Sequence, residues 1–191
     1  MDTKKIIQTL AYLAWKQEGH VLDNMKAYKL MWLADRYHVR HNTRTVTGDD
    51  YWALPYGPVP SDAKNLIDGR RTTKMQPVGM MEEYLEVLPE HKFRAKKEPD
   101  VMVFSQSDRE ALDLVLEKFG WMTPVQLSEL SHQFPEWLQY EPMLKDEEKR
   151  NGYMIDKDLF FVNKEEASGL FVDDPEMLTF SKQMFHEMQE C

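Results

Sequence analysis

The segment Tyr51-Trp52-Ala53-Leu54-Pro55-Tyr56-Gly57-Pro58-Val59-Pro60-Ser61 constrains this chain more than any other. It packs three aromatic residues, three prolines and one glycine into eleven positions. Each proline fixes its own φ, donates no backbone hydrogen bond and pushes the residue before it toward extended backbone. Gly57 is the one position free to take a positive φ. The pattern predicts a stiff, non-helical elbow just ahead of a helix start at Ser61. The amphipathic rings of Trp52 and Tyr56 suit either the lid of a core or a contact with a partner. A rigid core-capping turn is the plainer of the two readings.

On both sides of the elbow, apolar residues recur at helical spacing. Ile6, Ile7, Leu10, Leu13 and Ala14 predict an amphipathic helix over residues 3–18, stopped at Gly19. Ala27, Leu30, Met31, Ala34 and Tyr37 predict a second, capped by Asn24 and running to about His38. Thr43 to Val46 and Tyr51 to Leu54 read as a short strand pair around a polar turn. Ser61 is placed to cap a helix that reaches Asp68 and stops at Gly69. Residues 70–106 change character. A basic loop, Arg70-Arg71-Thr72-Thr73-Lys74, precedes period-two alternation in Tyr84 to Leu88 and around Lys92-Phe93-Arg94, and Val101 to Phe104 is a further apolar run. This predicts a small antiparallel sheet. Ser107 to Glu110 reads as a capping box opening a helix that ends at Gly120. Thr123 and Pro124 open the next, which Phe134 to Trp137 end. Leu159 to Val162 suits one more strand, and Pro175 opens a last helix through Met188. The expected fold is mainly α, of the α+β kind: a compact helical domain of about five to six helices with a small antiparallel β-sheet or hairpins.

The 191 residues carry a net charge of −9, unevenly spread. Residues 141–191 hold 13 acidic residues against six Lys or Arg, whereas residues 1–140 hold 20 against 18. The expected organisation is a main domain over 1–140 and an acidic extension over 141–191, with a terminal helix packed on that domain. The negative balance disfavours nucleic acid and anionic lipid as partners. The acidic extension suits a solvated tail or a docking surface for a basic partner. No apolar run is long enough to span a bilayer, and Met1 to Lys5 do not read as a signal peptide, so a cytoplasmic location without a membrane partner is expected. The single cysteine, Cys191, cannot form an internal disulfide.

Reactive constellations are sparse. His38 and His41 lie three apart among Arg36, Arg40 and Arg44, and without a third ligand they read as a surface pair rather than a metal site. Ser131 and His132 are adjacent on a predicted helix and therefore point apart, which disfavours a nucleophile–base pair. His132 reads instead as a hydrogen-bonded helix-end histidine packed by Trp137. Asp49-Asp50 and Asp173-Asp174 read as turn and cap residues. Gly-rich phosphate loop, nucleophile elbow and HExxH motif are all missing from the sequence. No catalytic residue, cofactor or metal is expected, and the chain is not expected to be an enzyme. Residues 108–132 follow helix–turn–helix arithmetic and leave a DNA-binding transcriptional regulator as the alternative function. The second helix there offers Gln126, Ser128, Glu129 and Ser131, with no Lys or Arg between Pro124 and His132 to meet phosphate.

Two segments together carry a resemblance. The first is Lys29-Leu30 with Leu33-Ala34-Asp35-Arg36-Tyr37, followed by Ala53 to Pro60. The second is Leu127-Ser128-Glu129-Leu130-Ser131-His132 followed by Pro135-Glu136-Trp137. In this pairing, over roughly residues 5–140, the chain resembles the Panacea antitoxin domain, the family of SocA-like and GepA-like phage-associated bacterial proteins. The resemblance implies a mainly helical cytosolic domain that neutralises the cognate toxin of a toxin–antitoxin pair, encoded nearby, by direct protein–protein binding. One family member is thought to deliver its toxin to a cytosolic protease, so the resemblance also implies a protease partner through an adaptor role. The family pairs with many unrelated toxins, and membership does not name the toxin. On this reading Trp52, Tyr56, Gly57, Pro58, Val59, His132 and Trp137 are the motif or partner-binding residues, with Trp52, Tyr56 and Trp137 as aromatic anchors. The chain departs from the common pattern at Pro55, where the family more often has a Trp followed by a variable residue. It departs again in residues 141–191, which extend past the resemblance. Either departure is placed to set specificity.

Overall fold

A computed structural model describes residues 3–70, 78–146, 148 and 151–189. Helix α1 (Thr3–Trp15) buries the predicted stripe of Ile6, Ile7, Leu10 and Leu13. It stops before Gly19, which takes φ 63° inside a separate 3-10 turn, Glu18–His20. Strand β1 (Val21–Asp23) leads into α2 (Asn24–Asn42). The cap of α2 is Asp23 rather than Asn24: its carboxylate accepts from the Lys26 N–H at 3.0 Å. Beyond its apolar stripe, α2 buries Lys29, Asp35, Arg36, His38 and Arg40. A helix covered on so many sides is the axis of a core, and each of its buried polar groups needs a partner.

The proline-rich elbow is a β-hairpin. Strands β2 (Tyr51–Leu54) and β3 (Gly57–Pro60) pair antiparallel, from Tyr51 against Pro60 to Leu54 against Gly57. Tyr51–Leu54 is thus a strand as expected, but its partner lies ahead of it, and Thr43 to Val46 are not strand. Proline is tolerated in β3 because that strand is a sheet edge. Helix α3 (Ser61–Ile67) follows, and Ser61 does not cap it. The cap comes from Asp49, whose carboxylate accepts from the N–H groups of Asp62 and Ala63, both at 2.9 Å.

Helix α4 (Val78–Tyr84), which the sequence pattern did not suggest, precedes the predicted hairpin of β4 (Leu85–Leu88) and β5 (Lys92–Ala95). The third strand of that sheet is β1, in the order β1-β5-β4; Val101–Val103 is a 3-10 turn instead. Helix α5 (Gln106–Phe119) opens two residues earlier than expected, with Ser105 as cap and Asp108 as its reciprocal partner. Helix α6 (Pro124–Ser131) carries the predicted Thr123 cap, answered by Gln126. The short α7 (Pro135–Leu138) and α8 (Glu141–Leu144) follow. Strand β6 (Tyr153–Met154) completes a second sheet, β3-β2-β6. Leu159 to Val162 do not form the expected strand, since Lys157–Phe161 turn as a 3-10 helix, and α9 (Pro175–Gln189) is the predicted last helix. The expected loop residues Arg71 to Lys74 and Cys191 fall outside the described residues. Among the described residues the fold is mainly α with two small antiparallel sheets. No helix among them is long and apolar enough to cross a membrane.

Candidate functional site

Three side chains from three helices hold the β2–β3 hairpin by its carbonyls. From α2, Lys29 Nζ donates to the Pro58 carbonyl at 2.7 Å. From α6, Ser128 Oγ donates to the Tyr56 carbonyl at 3.0 Å. From α7, Trp137 Nε1 donates to the Leu54 carbonyl at 2.9 Å. Every second carbonyl from Leu54 to Pro58 is therefore fixed from outside the hairpin. The prolines supply no N–H groups of their own, and buried backbone acceptors still need partners.

Gly57 sits where these supports converge. Its φ is 97°, a left-handed conformation that disfavours side chains. A Cβ at this position would overlap Ser131 Oγ and stand 2.8 Å from Lys29 Cε. Ser131 Oγ is itself tied back, donating to the Ser128 carbonyl at 2.7 Å. Burial of Lys29 pushes its amine down to a pKa of about 7. The His132 ring stacks on Trp137 with centroids 3.8 Å apart and planes 20° from parallel. Burial lowers the His132 pKa, nearby Lys29 charge lowers it further, and a hydrogen bond with the Pro55 backbone opposes both. Its Nε2 is buried without a hydrogen-bond partner among the described residues.

The structure separates the expected site residues into two groups. Trp52 and Tyr56 are exposed, at 38% and 66% of their surface, whereas Trp137 keeps only 4%. Trp137 is therefore a support of the hairpin and not an exposed anchor. Gly57, Pro58 and Val59 are buried with it, and His132 is half-buried. Across the sheet Trp52 lies opposite Met154 of β6, which is also exposed.

Several polar residues that the sequence pattern left unassigned prove structural. The Asp35 carboxylate accepts from the Thr47 N–H at 2.9 Å, from the Thr47 hydroxyl and from the Tyr51 hydroxyl at 2.8 Å. Burial raises its pKa against those hydrogen bonds. Arg36 Nε donates to Glu136 at 2.5 Å, and Nη2 donates to the Val162 carbonyl at 2.6 Å. Its guanidinium also lies 4.9 Å and 4.7 Å from the ring centres of Phe134 and Phe171. Arg40 donates to the carbonyls of Phe160, Val162 and Phe171, to Asn163 Oδ1 and to the Asp173 carboxylate. These two arginines fasten residues 160–173 to α2. The only sequence signal for them was a pair of arginines one turn apart on the helix that carries the Ala27 to Tyr37 stripe.

His38 is not a surface residue. It is fully buried, with Nδ1 against the Arg44 carbonyl at 2.7 Å and Nε2 against Ser107 Oγ at 3.0 Å, and burial lowers its pKa. His41 turns away to Asp173 at 3.1 Å. Among the described residues, no three or more His, Cys, Asp or Glu side chains are grouped to hold a metal ion. Asp49 is a cap residue, as expected, and burial lifts its pKa to about 7.

Fold and site together define a small helical domain that displays a rigid, aromatic-bearing hairpin. The antitoxin SocA-like Panacea domain matches residues 28–138, more than half of the chain, and the chain belongs to that family. The match is narrower than the span expected from sequence. It opens one residue before Lys29 and closes one residue after Trp137, so it encloses every support of the hairpin. No curated protein and no solved structure matches the chain.

Proposed function

We propose that this chain is an antitoxin that neutralises a cognate toxin by direct protein–protein contact, making and breaking no covalent bond. Family membership supports the antitoxin reading. The observation that carries the contact mode is the hairpin itself: Trp52 and Tyr56 stand exposed on backbone fixed by Lys29, Ser128 and Trp137. A surface ordered before binding loses little conformational freedom on association. Large amphipathic rings are efficient anchors on such a surface. In this reading Gly57, Pro58, Val59, His132 and Trp137 set the shape that the anchors present.

The DNA-binding alternative is less well served by α6. Ser128 and Ser131 donate inward, and Gln126 is engaged with its own cap at Thr123. The exposed residues left on that face are Val125, which offers phosphate no hydrogen bond, and Glu129, which phosphate repels. The test is co-expression with the product of the adjacent reading frame. Growth arrest by that product alone, relieved by this chain, is the expected outcome. Arrest that persists beside well-expressed antitoxin removes the reading. A toxin level that falls in the rescued cells would add an adaptor role toward a protease; a constant level means neutralisation by occupancy.

A further inference from the structure

We infer that the toxin docks on the outer face of the β3-β2-β6 sheet, and that the toxin surface fitting there is basic with an apolar centre. This rests on the antitoxin reading above. The apolar part of the face is built from Trp52 and Met154, directly opposite each other in the β2–β6 register, with Tyr56 at the hairpin tip. Gly152 keeps this face low: a Cβ there would stand 2.8 Å from Leu54 Cδ2 and 3.3 Å from Trp52 Cε3.

Carboxylates adjoin the two strands and the hairpin. Asp50 immediately precedes β2, and Asp156 follows β6 by two residues. Glu129 of α6 and Glu141 of α8 both act electrostatically on His132, beside the hairpin. Among the described residues the cations beside these acids are paired: Lys157 with Asp50 at 2.8 Å and Lys145 with Glu141 at 2.7 Å. Glu129 and Asp156 have no ion pair among the described residues. Unpaired acids around exposed aromatics attract a cationic partner and penalise an anionic one. Other exposed apolar side chains, such as Val87 on β4 and Phe180 on α9, lie outside this arrangement.

Rim charge and apolar centre make separable contributions. Rim charges act mainly on the association rate and its salt dependence, and the buried anchors act mainly on dissociation. The probe is the product of the adjacent reading frame, purified in a non-toxic form. Trp52→Ala and Met154→Lys should each weaken binding about a hundredfold and abolish growth rescue. Tyr56→Lys, at a side chain 66% exposed, should weaken binding likewise and keeps the test sound if Trp52→Ala melts early. Glu129→Lys combined with Asp156→Asn should slow association about tenfold at low salt, with the difference closing at high salt. Phe180→Lys and Val87→Lys should bind as the unaltered chain does. A toxin bound normally by the sheet variants, or lost by Phe180→Lys or Val87→Lys, overturns this surface while leaving the antitoxin reading intact. Salt-independent association overturns the basic character of the partner. An unaltered chain that neither binds nor rescues takes down both the antitoxin reading and this surface.

Discussion

Lys29 and Arg40 lie about three turns apart on the same helix and are both fully buried, yet they are satisfied in opposite ways. Lys29 has one acceptor, the Pro58 carbonyl, and no carboxylate partner among the described residues. Arg40 has three backbone carbonyls, an asparagine oxygen and the Asp173 carboxylate. A buried lysine can shed its proton, and burial alone brings Lys29 to a pKa of about 7. A guanidinium does not lose its charge in a protein, so a buried one has to be met in full. The two ends of α2 therefore make seams of different kinds. The seam to residues 160–173 is an ionic clamp in which Arg40 is met on every side, while Arg36 Nη1 and Glu136 Oε2 keep no hydrogen-bond partner among the described residues. The seam to the hairpin is under-satisfied and held by a neutralisable amine.

The clamp should break hardest. Arg36 neighbours Arg40 and pairs with Glu136, both side chains being fully buried. Glu136→Ala would leave a buried guanidinium without its carboxylate, at a cost of about 3–5 kcal/mol. For a domain of this size that is a fall in Tm on the order of 10 °C. Denaturant titration gives the free energy directly. Glu136→Gln keeps an acceptor without the charge and should cost less. Equal losses for Gln and Ala would mean that shape rather than charge holds this seam, and the contrast with Lys29 would weaken.

On the hairpin side the largest effect is steric. Gly57→Val combines a positive φ with a Cβ that overlaps Ser131 Oγ, and the expected loss is on the order of 3 kcal/mol. Gly57→Ala should lose nearly as much, because the first side-chain carbon makes the overlap. Ser131→Gly in the Gly57→Ala background removes the obstructing hydroxyl. It should recover the share due to Ser131 and leave the close approach to Lys29 Cε together with a backbone share of roughly 1 kcal/mol or more. Thermal melting of the unaltered chain, Gly57→Ala, Ser131→Gly and the double variant closes the cycle. Additive losses would show that Ser131 does not define the space under Gly57.

What the sequence made legible is local. The stripes of α1, α5 and α9, the β4–β5 hairpin and the Thr123 cap all follow from residues close in the chain. The stiffness of the elbow was legible from its prolines, but its pairing was not. Pro58 and Pro60 argue against a strand until β3 is known to be an edge. The cap of α3 was missed because Asp49 reaches it across the hairpin, whereas Ser61 sits next to it. The burial of Lys29, Arg36, His38 and Arg40 was hidden for a related reason. Charged residues on a helix normally mark a solvated face, and here segments as distant as Glu136 and Asp173 cover them. Trp52 and Trp137 look alike in sequence. Only the tertiary fold exposes the first and turns the second inward onto the Leu54 carbonyl.

The difference between the seams is sharpest as a function of pH. The folded pKa of Lys29, about 7, lies below the roughly 10.4 of an unfolded lysine. Between those values the unfolded chain binds a proton that the folded chain does not, so stability rises with pH across that window. Below about pH 7 both states carry the charge, and the full cost of burying it remains. Lys29→Met removes the titration and leaves the Pro58 carbonyl without its donor. The stability of the unaltered chain relative to Lys29→Met should therefore improve by about 1 kcal/mol per pH unit between about pH 7 and 9. Denaturant titrations at the two pH values measure it. Asp49, raised by burial to about 7, loses stability as pH climbs from about 4 toward 7; it is present in both proteins and cancels. Arg40→Met, run in parallel, should show no such slope, because the guanidinium stays charged throughout. A flat profile for Lys29→Met as well would mean that the amine keeps its proton under the hairpin. The two ends of α2 would then be fastened by the same kind of permanent charge.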